Sequence, residues 1–221
     1  VPPEDAEIGS RALVASDLWG VESHGAPRLH LYAHSLHLRG INPAPNIEVV
    51  RDKGISAVLD GDNGWGMVLG TKAMNLAIEK ARTHGLGLVA LSRTNHFGMS
   101  GYYASLTLEY DLVGFAATNT PPTMVPTYAR IPGIGTNPFA VAIPAGDEPP
   151  FLLDMSCTAV ALGKLQIAQR RGKPMPSGWS NDPSGEGFTH DLDEALAAFR
   201  LAPLGGMTET GGHKGYGLSV V

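Results

Sequence analysis

Four of the chain's eight histidines fall within fourteen residues of the stretch "WGVESHGAPRLHLYAHSLHLRG", at His24, His30, His34 and His37. Two different chemistries can be built from it. His24 and Arg28 stand four residues apart across a Gly-Ala-Pro turn that starts a helix, so an imidazole and a guanidinium can face one pocket. The guanidinium suits bidentate capture of a carboxylate, and the imidazole suits proton exchange near neutral pH. Alternatively, His30, His34 and His37 would put two or three imidazoles on one helical face, where zinc could use them. No cysteine or carboxylate cluster completes that set and no HExxH pattern occurs, so no metal site is assigned.

Other polar groups sit where strands end, a common place for ligands in α/β sheets. In "SRTNHFGMSGYYA", His96 follows a strand pattern and enters a loop relaxed by Gly98 and Gly101. "LLDMSCT" puts Asp154 and Ser156 after another strand, where side chains and amides could hold a ribose or a phosphate. "GIGTNPFAVAIP" joins a glycine-supported polar turn to a buried strand, and "GGHKGYG" sets Lys214 among glycines as a phosphate or carboxamide contact. The familiar nucleotide signatures fail. "GLGLVA" from Gly85 fits GxGxxA in letters only, because it follows a helix and enters a strand, the reverse of a Rossmann turn. Neither GxxxxGK[ST] nor GxSxG occurs.

These side chains need elements to position them. The 221 residues suffice for one large domain or two small ones, and 43% hydrophobic content with near-zero mean hydropathy describes an ordinary buried core. The net charge of −5, without clustered Lys and Arg, gives no footprint for nucleic acid. No apolar run reaches the roughly 20 residues that span a bilayer. Cys157 is the only cysteine, so no intramolecular disulfide forms and a reducing, cytoplasmic setting is expected. Residues 3–20 read as an amphipathic helix and residues 27–38 as a second, stopped by Gly40. "ISAVLDGDNGWG" reads as a strand leading into a Gly/Asp/Asn loop, and "MVLGTKAMNLAIEKARTHG" as a helix with an apolar stripe and Gly85 at its end. "YYASLTLEY" reads as a helix, and residues 173–187 as an exposed Pro/Gly/Ser-rich loop. Strands and helices alternate, which favours α/β class; some links are too short for a crossover, so the sheet is expected to be mixed. The chain stops inside an apolar run, "GYGLSVV", and is expected to be truncated at that end.

Taken in order, "DLWGVESHGAPRL", "LDGDNGWG", "NHFGMSGYYA", "GTNPFAVAIP", "LLDMSCT", "PSGWSNDPSGEGFT" and "PLGGMTETGGHKGYGL" resemble the malate/L-lactate dehydrogenase family that is unrelated to the Rossmann enzymes, also known as L-sulfolactate dehydrogenase-like. The resemblance covers nearly the whole chain. It implies a mixed-sheet NAD(P)-binding fold, a homodimer, and hydride transfer between NAD or NADP and a small 2-oxo or 2-hydroxy acid that is malate-, lactate- or sulfolactate-like. By the same resemblance His24 and His96 line the substrate site, and Arg28 faces the substrate carboxylate. Thr136, Asn137, Asp154, Met155, Ser156, His213 and Lys214 fall to the cofactor. Residues 1–45 become a helical segment that contributes to the substrate site, and 46–221 the cofactor-binding domain. His213 departs from the aromatic residue usual before the lysine, and Tyr128-Ala129 from a glycine pair. Three alternatives stay open: a cyclic imino acid reductase on the same fold, a non-catalytic fragment, and a metal-binding protein using His30, His34 and His37.

Overall fold

The computed structural model describes residues 1–221, in two compact units. Unit 1 comprises Val1–Ala116 and Ala140–Leu153, and unit 2 comprises Ala117–Phe139 and Asp154–Val221.

Unit 1 opens with helix α1 (Pro3–Leu18), whose start carries Pro3 where a missing N–H costs nothing. Two 3-10 turns, Glu22–His24 and Ala26–Arg28, lead into α2 (Leu29–His37). Strands β1 (Glu48–Lys53), β2 (Ser56–Gly64) and β3 (Leu88–Thr94) form one sheet in that order. β1 pairs antiparallel with β2, and β2 parallel with β3, so the sheet is mixed as its short β1–β2 link requires. The β2–β3 crossover is α3 (Gly66–His84), ended by Gly85 in the left-handed region at φ 81°. Helix α4 (Ser100–Ser105) follows. A second sheet orders β4 (Gly114–Ala117), β5 (Phe139–Ile143) and β6 (Phe151–Met155).

One core cluster packs Ala12, Leu13, Tyr32, Ile41, Trp65, Met67 and Val68, drawing on α1, α2 and the start of α3. A second joins Tyr103 and Ala104 of α4 to alanines of β4 and β5. Unit 2 holds α5 (Leu162–Arg170), α6 (Leu192–Ala198) and α7 (Gly212–Val220). Its core is Leu165, Met175, Ala195 and Leu201.

Four local expectations change. The Gly/Asp/Asn segment is not a loop: β2 runs on through it to Gly64 as a bulge, with Asp62 and Asn63 at positive φ and a register shift between Asp60 and Gly64. The left-handed residue that ends α2 is Arg39, at φ 57°, and Gly40 supplies the amide that caps Ser35 O at 2.8 Å. "YYASLTLEY" divides into α4 and a 3-10 turn at Leu106–Tyr110. The 173–187 segment is anchored rather than wholly exposed, because Met175, Ser180 and Asn181 are buried.

Candidate functional site

The polar cluster of unit 1 is built on two anchored turns. The first carries His24 and Arg28. The Asp17 carboxylate of α1 accepts the Ala26 amide at 2.9 Å, and a Cβ on Gly25 would fall 1.8 Å from that carboxylate. The glycine is therefore required by close approach. The second turn, residues 95–99, carries His96. Asn95 Nδ2 donates to Asn63 O at 2.9 Å and Gly64 O at 3.2 Å, and the Tyr103 hydroxyl donates to Phe97 O. Gly66 lets α3 start against this turn, since a Cβ there would lie 2.0 Å from Asn95 O and 2.6 Å from His96 O. Both atoms are backbone, so Gly66→Ala must displace the His96 turn. The expected cost is about 1–3 kcal/mol of stability or more, read by thermal unfolding, together with loss of the His96 geometry.

The two turns bring the imidazoles together. The His24 and His96 rings stack at 5.6 Å between centroids, 14° from parallel. Ser23 Oγ lies 2.9 Å from His24 Nδ1. Arg28 Nε donates to Ser23 O at 2.7 Å, which aims the guanidinium while leaving its two Nη groups without a partner in the chain. Tyr32 Oη lies 2.7 Å from His96 Nδ1, and the Gly98 amide donates to the same nitrogen at 3.2 Å. Tyr32 is buried, with its ring 5.5 Å from Trp65.

Electrostatics follow from this packing. Desolvation, then His96, then Arg28 push His24 down to about 3. His96 is lowered to about 4, by desolvation first and Arg28 second. Burial raises the Tyr32 phenol to about 12. At neutral pH the cluster is thus two neutral imidazoles, a neutral phenol and one guanidinium, a site suited to a small anion bearing a group that exchanges a proton.

The other expected residues lie in unit 2. Thr136 Oγ1 and its amide both meet Thr120 Oγ1, at 3.1 and 2.8 Å. Both polar ends of Asn137 are engaged, Oδ1 by the Thr120 amide and Nδ2 by Ser219 O. Asp154 and Met155 end β6, and Ser156 Oγ donates to Thr158 O at 3.1 Å. His213 and Lys214 are exposed in the first turn of α7, and the Lys214 ammonium makes no bond within the chain. A cavity of about 250 Å³ in unit 2 is lined by Val125–Ala129, Gly185, Glu186 and Met207–Glu209 among others; none of these expected residues borders it. His30, His34 and His37 do not converge: no three metal-ligating side chains of the chain form a group that could hold an ion.

Ser23, Tyr32 and the Gly98 amide were not singled out from the sequence. A signal existed for Tyr32. His24, Arg28 and Tyr32 recur every four residues, the spacing of one helical face.

The malate/L-lactate dehydrogenase family model matches residues 1–221, and the chain belongs to that family. It is 45% identical over 221 residues to a malate dehydrogenase of Pyrococcus abyssi, covering all of this chain and 60% of that protein. The structure of sulfolactate dehydrogenase from Methanocaldococcus jannaschii superposes with TM-score 0.87 at 41% identity, covering 100% of this chain and 61% of that one. Delta1-piperideine-2-carboxylate reductase from Pseudomonas syringae superposes at 0.88 with 29% identity, covering 100% and 64%. The fold is therefore the mixed-sheet, L-sulfolactate dehydrogenase-like one, and the chain spans about three-fifths of the length of these relatives. No helix is long and apolar enough to cross a membrane.

Proposed function

We propose that this chain is part of an NAD(P)-dependent oxidoreductase that interconverts a small 2-oxo acid and its 2-hydroxy acid, of malate, lactate or sulfolactate type. The observation that carries the reading is the Arg28 guanidinium, held at Nε and unpartnered at both Nη groups, beside two stacked neutral imidazoles. A substrate carboxylate pairs with the Nη groups through two parallel bonds. Desolvation and His96 disfavour the imidazolium most and Arg28 adds to them; the pairing neutralises that last contribution, so a bound anion eases proton uptake by His24. His24 then gives its proton to the carbonyl oxygen in reduction and takes it from the hydroxyl in oxidation. The helical segment 1–45, which carries Arg28 and His24, thereby contributes to the substrate site.

Unit 2 would hold the cofactor. The free Lys214 ammonium at the start of α7, with His213 beside it, suits an anionic group. The glycines around it fit close approach of backbone, since a Cβ on Gly212 would strike Gly206 O at 1.9 Å. Thr136, Asp154, Met155 and Ser156 would add contacts, whereas Asn137 acts by holding the Thr120 amide and α7. A nicotinamide cofactor would supply the hydride that reduces C2. A homodimer and a cytoplasmic setting complete the reading.

A panel of 2-oxo acids and one cyclic imino acid, with NADH and NADPH, tests it on the full-length protein at the nicotinamide absorbance. Turnover of the imino acid alone would move the assignment to that substrate class, as the resemblance to the piperideine-2-carboxylate reductase allows. Turnover of none would overturn it. Lys214→Ala should weaken NAD(P)H binding by about tenfold or more, because a hydrogen bond to a charged group contributes ~1.5–3 kcal/mol. Its exposed position predicts an unchanged melting temperature. Equal affinities in a fluorescence titration would make Lys214 a solvated residue only.

A further inference from the structure

The hydrogen bonds at His96 fix where its proton sits. The Gly98 amide can only donate, and its bond to His96 Nδ1 at 3.2 Å is the one it makes. A proton on Nδ1 would point at that N–H and leave a buried amide unsatisfied, at a cost that folded chains avoid. Nδ1 is therefore an acceptor. The Tyr32 hydroxyl, 2.7 Å away, must then donate to it, which a phenol held neutral by burial can do. We propose that Tyr32 is a positioning residue that, together with the Gly98 amide, holds His96 as the neutral tautomer with its proton on Nε2.

Tyr32 is suited to the task by its own fixation. Its ring lies in the core cluster of α1, α2 and α3, tilted against Trp65, so its hydroxyl cannot wander from the imidazole. Gly98 is fixed too: it takes φ 81°, and a Cβ there would lie 2.7 Å from Met67 Cε. The groups facing His96 are His24 by stacking, Tyr32 by hydrogen bond and Arg28 by charge, and none offers a carboxylate that would favour an imidazolium.

The contrast with His24 assigns the two rings. Ser23 Oγ beside His24 Nδ1 can donate or accept by turning its hydroxyl, so His24 keeps its partner whether it is neutral or protonated. An amide cannot turn. Resting on the dehydrogenase reading above, His96 offers Nε2–H as a fixed hydrogen bond to the substrate oxygen, and His24 changes protonation state.

Long-range ¹H–¹⁵N correlation of the imidazole nitrogens in the full-length protein tests this without any turnover. The expected result is His96 as the Nε2–H tautomer, unchanged from about pH 5 to about pH 8. In Tyr32→Phe, which keeps the ring that packs on Trp65, the Nδ1 signal should move toward a tautomer mixture. kcat should fall about tenfold, the loss of one hydrogen bond, with KM changed less. A wild-type His96 protonated on Nδ1 overturns the proposal, and so does a Tyr32→Phe spectrum identical to wild type. If no oxo acid is turned over while His96 remains Nε2–H and responds to Tyr32→Phe, the tautomer assignment is upheld and the dehydrogenase reading fails.

Discussion

His24→Gln should lower kcat by ~10²–10⁴-fold, the usual contribution of a positioned acid/base, with the melting temperature nearly unchanged. Glutamine can keep a hydrogen bond to Ser23 Oγ but cannot carry the exchanging proton. His96→Gln should cost less, because its amide can still present an N–H where His96 presents Nε2–H. The pH profile separates them further. For oxidation of a 2-hydroxy acid the base must be neutral, and kcat/KM reports the free enzyme. Desolvation, His96 and Arg28 hold free His24 down to about 3, so the neutral form persists well into acid. kcat/KM should therefore be flat from about pH 8 to about pH 5, whereas an ordinary histidine would impose a limb near its usual ~6.5. A limb at ~6.5 that vanishes in His96→Gln and survives in His24→Gln would exchange the two roles.

The parts of the fold legible in the sequence were those carried by local chemistry. Helix α3 is written in the spacing of Met67, Ile78 and Ala81 and closed by Gly85, because one apolar face and one left-handed residue suffice to specify it. The mixed sheet could be read from link lengths alone. The β2 bulge could not. Asp62 and Asn63 are turn residues by type, and the bonds that keep them in the strand come from far away: Arg93 reaches the Asp62 carboxylate at 2.8 Å, and Asn95 reaches Asn63 O. Tyr32 was hidden for the same reason. The four-residue spacing sets Tyr32 on the face of His24 and Arg28, but its hydroxyl finds its partner 64 residues along the chain, and that spacing does not encode the meeting with His96. Asn137 shows the converse. Its "GTNP" motif resembles a cofactor contact, yet both of its polar ends are used within unit 2, Oδ1 by the Thr120 amide and Nδ2 by Ser219 O of α7, so the side chain does structural work.

Arg28→Lys should reduce kcat/KM for 2-oxo acids by roughly 30-fold or more, on the order of 2 kcal/mol when hydrogen bonds to charged groups contribute ~1.5–3 kcal/mol each. The charge survives this substitution, so the loss isolates geometry. In the wild type, Nε is committed to Ser23 O at 2.7 Å, and the planar group then presents both Nη atoms in a fixed fork. A lysine ammonium has one nitrogen. It can bond Ser23 O or the substrate carboxylate with good geometry, and it cannot reproduce the two parallel bonds. KM should rise, and kcat should fall as well, because a carboxylate free to pivot no longer holds C2 at a fixed distance from His24 and small displacements of reacting groups carry large kinetic penalties. Substrates that lack the carboxylate, such as simple ketones, should be turned over poorly by both proteins and discriminated far less by Arg28→Lys than by the wild type. Kinetics with pyruvate-like and ketone substrates on the two full-length proteins check this. Equal kcat/KM for the oxo acid in wild type and Arg28→Lys would remove Arg28 from the carboxylate and leave the Ser23 carbonyl as its whole function.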